Sequence, residues 1–595
     1  MKKTYVLVIA LFFVVYLVPL GVRPMLFPDE LRYAEIPREM LATGDWVVPH
    51  LDGLRYFEKP VLGYWLNAAA IAIFGENAFA VRFFSSVAAG VSAFCVFLLV
   101  RKYARDKFAA LLAAAVFLTS FEVFIVSTIA VLDSMFTMFV TAGMTAFFFA
   151  DMETRRWRKT CLLALFGLFC GLAFLVKGFV VFAVATVAIV PFLIWQRRAK
   201  ELLKIVWPPI IAAVLVALPW CLMVYAREKD FWHYFFWTEH IQRFVSASSA
   251  EHPEPFWFFV PWLLVGTFPW VVLLPSVISG LKKTSFRTPL IRYAVCWLIF
   301  PFIFFSASRG KLSTYILPCF PPLAILVSMA LLTHFSNTKK KTLAPPAYLI
   351  AGIAAALAIA IIVTLAMTMD SALYGKHETW KAVIAVAGLL GYAFVLIVFC
   401  TGNAEDFRKQ ILYFAAGPAL FMFCGQFAVP YRLIEGKAPM EFLEQRKEMI
   451  GPEDILISDN YLASAVCWAY RRNDVFIVGR GGELEYGLRY DDSKHRLLDP
   501  DNLSERIMTA PVNARITFIT LTRRYVEYRH RLPKPLFEDI GDYFTLAGFI
   551  PTRMEGDLPQ PPEVLSCAAG GATYEKSLEV TPHPLFEAHT SCYSR

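Results

Sequence analysis

The chain has 595 residues, of which 57% are hydrophobic and only 18% are charged. Charge-free apolar runs of about 20 residues, the length that crosses a bilayer, recur along it, which excludes a soluble protein and indicates a polytopic membrane protein. The formal net charge of +9 does not indicate a nucleic-acid partner, because Lys and Arg cluster in short loops where membrane topology accounts for them.

The apolar runs predict about thirteen membrane spans, separated by charged or Pro- and Gly-containing breaks. The first run follows a basic start but is too long for a signal-peptide core and lacks a small-x-small cleavage site, so we expect a retained signal-anchor helix. The predicted spans are 4–22, 80–100, 108–124, 130–150, 160–176, 178–196, 204–225, 256–280, 290–307, 313–334, 347–368, 380–400 and 410–428.

Lys- and Arg-rich loops set the expected orientation, since such loops collect in the cytoplasm. All of them fall on the side of the N-terminus in the predicted topology: 101–107, 153–159, 197–200, 282–292 and 339–342. We therefore expect a cytoplasmic N-terminus and, with an odd number of spans, a C-terminal tail outside the cytoplasm.

The first predicted outer loop, 23–79, is the stretch that packing alone does not explain. Its segment 27–65 mixes acids and bases with Pro and Trp residues in an otherwise apolar chain. Aromatic side chains favour the membrane–water boundary, because one end of the ring is apolar and the other is wet. We expect a folded platform at the outer membrane surface, with a second outer loop at 226–255.

The tail, 429–595, differs in character from the membrane part, 1–428. Short β-like runs at 455–457, 475–478 and 516–521 alternate with helix-like stretches such as 461–471, which predicts a small α/β domain. Eight of the 11 cysteines fall in apolar spans. A Cys567–Cys592 bridge in the tail stays open, because pairing cannot be deduced from sequence.

Ionisable and hydroxyl side chains gather near the outer ends of the predicted spans, although the topology was derived without them. They come from five segments: Asp29, Arg32, Tyr33, Glu58 and Lys59; Asp133; Lys177; His233, Glu239, His240 and Arg243; and Arg309, Lys311 and Tyr315. Inserting an acid within a span costs about 2.5–3.5 kcal/mol on insertion scales, so Asp133 requires a partner or a functional role.

Each of these residues taken alone also has a structural explanation. Asp133 could pair with a cation at a helix end, Lys177 and Lys311 could extend to the interface from helix ends, and His240 could be an interfacial hydrogen-bonding group. The functional interpretation rests on the whole set, several cations with a few carboxylates at headgroup depth. Such a set suits glycosyl transfer from a lipid phosphate, because cations stabilise the charge on the departing phosphate oxygen.

Several motifs together resemble the lipid A 4-amino-4-deoxy-L-arabinose transferases, which are GT-C membrane glycosyltransferases related to protein O-mannosyltransferases. The motifs are PDE (28–30), FEKP (57–60), VLD (131–133), the Lys177-Gly178 turn, FWHYFFWTEHIQRF (231–244), GKLSTYILP (310–318) and GELEYGLRYDDSKHR (482–496). The likeness covers nearly the whole chain, and the tail from PPEVLSCAAGG onward extends beyond it.

The resemblance implies an undecaprenyl phosphate-linked aminoarabinose donor and a lipid A phosphate acceptor at the periplasmic face of a bacterial inner membrane. Adding the sugar would lower the negative charge of lipid A and give resistance to polymyxin and other cationic peptides. It implies no organic cofactor, and we expect a monomer whose active site and C-terminal domain are periplasmic.

The resemblance also implies roles for single residues. Asp29 corresponds to the key acid, Asp133 to a second acid, and Lys59 to a ligand of the donor phosphate. Glu58 and His240 correspond to a pair that holds zinc or a similar divalent ion. The remaining positions are expected to bind substrate: Arg32, Tyr33, Lys177, Arg243, Arg309, Lys311 and Tyr315.

A phosphate acceptor is already anionic at neutral pH and hardly needs a general base. We therefore expect Asp29 to bind the amino group of the sugar or to orient the acceptor; for a hydroxyl acceptor it would serve as the base. The alternative function is a related polyprenyl-phosphate-sugar transferase with another sugar or a protein or glycan acceptor. A transporter fits less well, because no internal repeat is present and the charges lie at one face.

Overall fold

The computed structural model describes residues 8–242, 253–337, 343–367, 373–401, 407–511 and 514–551. Most of these residues form helices, and one six-stranded sheet lies near the end of the chain. The predicted helical membrane architecture and the α/β character of the tail are both confirmed. The predicted domain boundary between residues 428 and 429 stays a prediction.

Nine helices in the described ranges are long and apolar enough to cross a membrane, and two bent helix pairs raise that number to eleven. The predicted spans 4–22 and 178–196 correspond to the shorter apolar helices α1 (Val8–Gly21) and α9 (Val180–Trp195). The nine are α4 (Ala78–Ala104), α7 (Leu132–Met152), α8 (Arg156–Lys177), α11 (Trp207–Arg227), α15 (Pro289–Ala307), α16 (Phe320–Ser336, entered through a 3-10 turn at Ser313–Cys319), α17 (Ala344–Ala366), α18 (Thr379–Cys400) and α19 (Phe407–Phe427).

Two of the predicted spans are bent rather than straight. The span expected at 108–124 is α5 (Lys107–Leu118) followed by α6 (Phe121–Ser127), which meet at 61°. The span expected at 256–280 is α13 (Phe259–Gly266) followed by α14 (Trp270–Lys283, which opens with a 3-10 turn), and these meet at 94°. Thr119-Ser120 and Pro269 stand at the breaks, where hydroxyl side chains and a missing N–H interrupt the helical ladder.

The first loop folds into a platform, as predicted. Helix α2 (Asp29–Thr43) is followed by the hairpin β1 (His50–Leu51) and β2 (Leu54–Arg55), and then by the short apolar helix α3 (Leu62–Phe74). Arg82 of α4 is fully buried and donates to both carboxylate oxygens of Glu30 at 2.6 and 2.7 Å. It also donates to three backbone carbonyls before α2, so this one side chain fixes the entry into the platform.

The C-terminal sheet has the strand order β5-β4-β3-β6-β8-β7. Four strands are parallel to one another: β3 (Ile455–Asp459), β4 (Phe476–Val478), β5 (Leu497–Leu498) and β6 (Ile516–Leu521). Strand β8 (Phe544–Phe549) pairs antiparallel with β6, and the edge strand β7 (Phe537–Ile540) pairs antiparallel with β8. Every residue of β6 and β8 is buried, as expected for strands covered on both faces.

The remaining short helices connect these elements. They are α10 (Leu202–Ile205), the π-helix α12 (His233–Gln242), α20 (Tyr431–Ile434), α21 (Met440–Gln445), α22 (Ala463–Tyr470), α23 (Leu503–Met508) and α24 (Thr522–Tyr528). The predicted Cys567–Cys592 pair and the extension beyond the resemblance lie outside the described residues.

Candidate functional site

Asp133 and Lys177 form the first half of the site. Asp133 opens α7 and Lys177 closes α8, so the antiparallel arrangement of these neighbouring helices brings the two side chains together. The Lys177 Nζ lies 2.5 Å from the Asp133 Oδ1, and 4.6 Å from the centre of the Tyr315 ring. An intramembrane acid is therefore neutralised by a cation from another segment, which is the stabilising pairing such an acid requires.

Lys59 forms the second half with two carboxylates. Its Nζ lies 3.4 Å from the Glu239 Oε2 and 3.8 Å from the Glu58 Oε2, and it donates to the Glu58 carbonyl at 3.0 Å. Its side chain keeps 20% exposure, whereas those of Glu58 and Glu239 are 7% and 5% exposed. The lysine therefore keeps part of its surface open while the two acids are covered.

Glycines bring the two halves into contact. Gly178, which follows Lys177, has φ +77°, and a Cβ there would lie 2.5 Å from the His240 Nε2. Gly63, near Lys59, packs so closely on Leu132 that a Cβ would lie 2.4 Å from its side chain. Through these neighbours the pair Asp133 and Lys177 lies close to Lys59, Glu239 and His240, and we call these five residues the charged ring.

His240 is held at both ring nitrogens. Its Nδ1 lies 2.7 Å from the Phe235 carbonyl oxygen, and its Nε2 accepts from the Phe179 N–H at 3.3 Å. An Nδ1–H donated to a backbone carbonyl leaves the Nε2 lone pair as the acceptor, the orientation found in metal-ligating histidines. The Nε2 of His240 would bind a metal only in place of the Phe179 N–H, and the pairing of His240 with Glu58 around an ion stays a prediction.

Asp29 stands beside the ring at the start of α2. Arg32 makes ion pairs with Asp29 and with Glu483, and it lies 3.3 Å from the Tyr56 hydroxyl. The Asp29 side chain is 57% exposed, whereas that of Arg32 is 8% exposed. The exposed Asp29 carboxylate is therefore held in position by the buried Arg32 guanidinium.

Tyr33 connects Asp29 electrostatically with the ring. Burial raises the pKa of Tyr33, and the charges that act on its hydroxyl include those of Arg32, Asp29 and Asp133. The Tyr33 ring stacks on Tyr64 with centroids 6.2 Å apart. Tyr33 therefore lies close enough to Asp29 and to Asp133 to interact electrostatically with both.

Two residues that the sequence assigned to substrate binding, Arg309 and Lys311, make contacts outside the charged ring. Lys311 is 3% exposed, and its Nζ donates to the carbonyl oxygens of Glu254 and Ser308 at 2.7 and 2.5 Å. The Arg309 carbonyl accepts from the Glu254 N–H at 3.3 Å. Within the described ranges no hydrogen bond or ion pair joins either residue to the charged ring. Arg243 lies outside the described residues.

Two acids in contact with the site received no role from the sequence. Glu239 was only one of several nearby charges, yet it pairs with Lys59. Glu483 lies in the C-terminal domain, 451 residues from its partner Arg32. The only sequence signal for Glu483 was its position in the segment 482–496.

Comparisons with known proteins identify relatives of both parts of the chain. The family model of dolichyl-phosphate-mannose-protein mannosyltransferases matches residues 1–235, and that of the arabinosyl transferase ArnT C-terminal domain matches residues 434–547. The crystal structure of ArnT from Cupriavidus metallidurans bound to undecaprenyl phosphate superposes with a TM-score of 0.79 at 21% identity, covering 92% of this chain and 98% of that one.

Curated relatives are similar over most of their length. The undecaprenyl phosphate-alpha-4-amino-4-deoxy-L-arabinose arabinosyl transferase of Shewanella sediminis is 39% identical, covering 90% of this chain and 96% of the relative. The protein of the same name from Erwinia tasmaniensis is 40% identical, covering 85% of this chain and 91% of the relative. The chain is therefore a multi-pass membrane glycosyltransferase, and it belongs to the family of undecaprenyl phosphate-4-amino-4-deoxy-L-arabinose arabinosyl transferases.

Proposed function

We propose that this enzyme transfers 4-amino-4-deoxy-L-arabinose from undecaprenyl phosphate to a phosphate of lipid A at the periplasmic face of the inner membrane. The names of its relatives support the donor and the sugar. The structural observation that carries the proposal is the charged ring, in which Lys59 and Lys177 from separate segments lie close enough for their charges to interact. Loss of negative charge from lipid A would weaken binding of polymyxin and other cationic peptides.

In the proposed reaction, an acceptor phosphate oxygen attacks the anomeric carbon of the sugar. The bond from that carbon to the donor phosphate oxygen breaks, and undecaprenyl phosphate departs with the electron pair. Lys59 is suited to hold the departing phosphate, because its ammonium is preorganised by Glu58 and Glu239 yet remains partly exposed. Arg243, close along the chain to Glu239, is proposed as a second phosphate ligand.

The acids are proposed to act on the sugar rather than on a proton of the acceptor. Asp29 is exposed and held in place by Arg32, so it can ion-pair with the sugar ammonium. Asp133 keeps Lys177 oriented, and Tyr315 packs its ring against the Lys177 ammonium. Arg309 and Lys311 are proposed to shape the rim through the loop that they hold.

Glu58 and His240 are the residues that would hold a divalent ion such as zinc. A bound ion there would add positive charge beside Lys59 for binding the donor phosphate. Glu58 keeps a carboxylate near Lys59, and the Nε2 of His240 could bind the ion in place of the Phe179 N–H.

The experiment that tests the proposal is transfer by the purified enzyme from undecaprenyl phosphate-linked aminoarabinose to lipid A, followed by mass spectrometry. The expected product is lipid A carrying one or more aminoarabinose groups on phosphate. The match of residues 1–235 to protein mannosyltransferases makes a hydroxyl acceptor the second candidate. Transfer to a serine-containing peptide, with none to lipid A, would favour that candidate and make Asp29 the base.

A further inference from the structure

A second cluster of ionisable side chains is buried away from the charged ring, where α2 meets α22 of the C-terminal domain. One donor atom from each of Glu35, Asp52 and Cys467 lies within 4.8 Å of the others. All three residues are fully buried. They come from three separate segments: the middle of α2, the β1–β2 turn and α22.

The hairpin turn is pressed against the C-terminal domain. Asp52 and Gly53 both have positive φ, 57° and 77°, the conformation of an Asp-Gly hairpin turn. A Cβ on Gly53 would lie 2.0 Å from the Asn473 carbonyl oxygen, so only glycine allows this approach. Arg496 donates to the Asp52 carbonyl at 2.8 Å. The backbone that carries the Asp52 carboxylate is therefore fixed.

The Asp52 carboxylate is incompletely bonded. Its Oδ2 accepts from the Ser464 hydroxyl at 3.0 Å, whereas its Oδ1 has no hydrogen-bond partner among the described residues. Leaving a buried polar atom without a hydrogen-bond partner is unfavourable, and more so if the group is charged. A fully buried carboxylate oxygen held on a fixed turn therefore indicates a ligand that completes it.

The charges in the cluster indicate that this ligand is a cation. Four acidic groups are buried together, Glu35, Glu39, Asp52 and Cys467, and Glu76 also acts on Glu35. Arg38 donates to both carboxylate oxygens of Glu35, at 2.7 and 2.5 Å, whereas the Arg496 guanidinium is bound by backbone carbonyls. The buried carboxylates outnumber the guanidinium groups that pair with them, and a divalent cation held by the three donors would offset this excess of negative charge.

The donor set selects among divalent cations. One thiolate with two carboxylates suits zinc, which binds sulfur at about 2.3 Å and carboxylate oxygen at about 2.0–2.2 Å. Donors around tetrahedral zinc lie about 3.5 Å apart at these bond lengths, so the three groups need to approach by only about 1 Å. Calcium and magnesium prefer sites made of oxygen alone.

We propose that Glu35, Asp52 and Cys467 form a structural zinc site that fastens the C-terminal domain to the platform. The site is separate from the pair Glu58 and His240, and it does not depend on the transfer reaction. Because Glu35 is on the same helix as Asp29, a metal at this position would also fix the helix that presents Asp29.

Cobalt substitution of the full-length protein tests the proposal. Cobalt bound to a thiolate has a near-ultraviolet charge-transfer band, which carboxylate and imidazole ligands do not produce. We expect the band in the unmutated protein, in His240→Ala and in Cys161→Ser, which removes an exposed cysteine. We expect it to be absent in Cys467→Ser.

Zinc content provides the second readout. The purified protein should hold one equivalent more zinc than Cys467→Ser or the nearly isosteric Asp52→Asn, whereas His240→Ala should keep this equivalent. Zinc-loaded protein should also unfold at a higher temperature than protein produced in zinc-depleted medium. Absence of the cobalt–thiolate band from the unmutated protein would overturn the proposal even if the variants fail to fold, and shared protons would then neutralise the cluster.

Discussion

Asp29 combines exposure with firm anchoring. Its side chain is 57% exposed, and its partner Arg32 is itself held by Glu483 and Tyr56. A carboxylate oriented by a buried cation does not need to reorganise when substrate arrives, and this preorganisation is what makes electrostatic catalysis effective. This arrangement suits the proposed recognition of a positively charged group on the sugar.

Asp29→Asn should lower transfer by about 100-fold or more, because the amide keeps the shape but loses the charge. Binding of undecaprenyl phosphate should persist, because Lys59 is unchanged. Mass spectrometry of lipid A measures the transfer, and a thermal shift with undecaprenyl phosphate measures the binding. Asp501→Asn, which alters an exposed carboxylate paired with Arg531, is the matched control. Unaltered turnover of Asp29→Asn would reject its assigned role.

Glu483→Gln should lower transfer by about 10-fold, because a hydrogen bond to a charged group contributes about 1.5–3 kcal/mol and Arg32 would lose this partner. Donor binding should change little. Glu485→Gln, two residues along and paired with Arg489 on the surface, should leave transfer unchanged. Equal effects of the two substitutions would show that Glu483 has no special link to the site.

Individual residues also mark the limit of prediction from sequence. Asp133 and Lys177 could be predicted, since an acid inside a span needs a cation and few are available at that depth. Glu483 could not, because nothing local relates it to an arginine 451 residues away. Lys311 was expected to bind substrate, yet two backbone carbonyls bind its ammonium, and a sequence pattern cannot distinguish these partners.

At the scale of elements, hydropathy predicted the positions of the apolar helices along the chain but not the bends within them. The spans expected at 108–124 and 256–280 contain bends of 61° and 94°. A hydropathy window records only composition and length, whereas direction depends on single residues such as Pro269 and on packing against neighbouring helices.

The turn between α8 and α9 depends on Gly178. Gly178→Ala should disturb the charged ring, because the added Cβ would meet the His240 Nε2 at 2.5 Å and the φ of +77° disfavours any side chain. We expect a loss of transfer of about 10-fold or more, since displacement of site residues by about 1 Å can cost 100-fold. Gly352→Ala, with nothing within 4 Å, is the control and should transfer normally. Normal transfer by Gly178→Ala would separate His240 from the site.

The entry into the platform depends on Arg82. Arg82→Met should destabilise the protein by about 3–5 kcal/mol, because Glu30 and three carbonyls would lose their buried partner. Thermal unfolding in detergent measures this loss. Arg101→Met, near the other end of α4, should have a small effect by comparison. Similar unfolding temperatures for the two variants would contradict the assigned role of Arg82.

At the scale of the whole molecule, the C-terminal domain is an integral part of the site's support. Besides Arg32–Glu483, the ion pairs Arg55–Asp492 and Glu76–Arg471 join the platform to this domain. The hydroxyls of Tyr486 and Tyr490 both donate to Asp230, which lies just before α12. The domain therefore contacts both predicted outer loops, and all three must lie on one side of the membrane.

Cysteine labelling in cells tests this shared side most directly. In a background without Cys161, Cys567 and Cys592, single cysteines would replace the exposed residues Trp46, Phe256, Val526 and Trp157. With the outer membrane permeabilised, a membrane-impermeant maleimide should label positions 46, 256 and 526, and it should label position 157 only after the inner membrane is opened. Labelling of positions 46 and 256 from opposite sides would contradict the account, because the two loops could not then form one site.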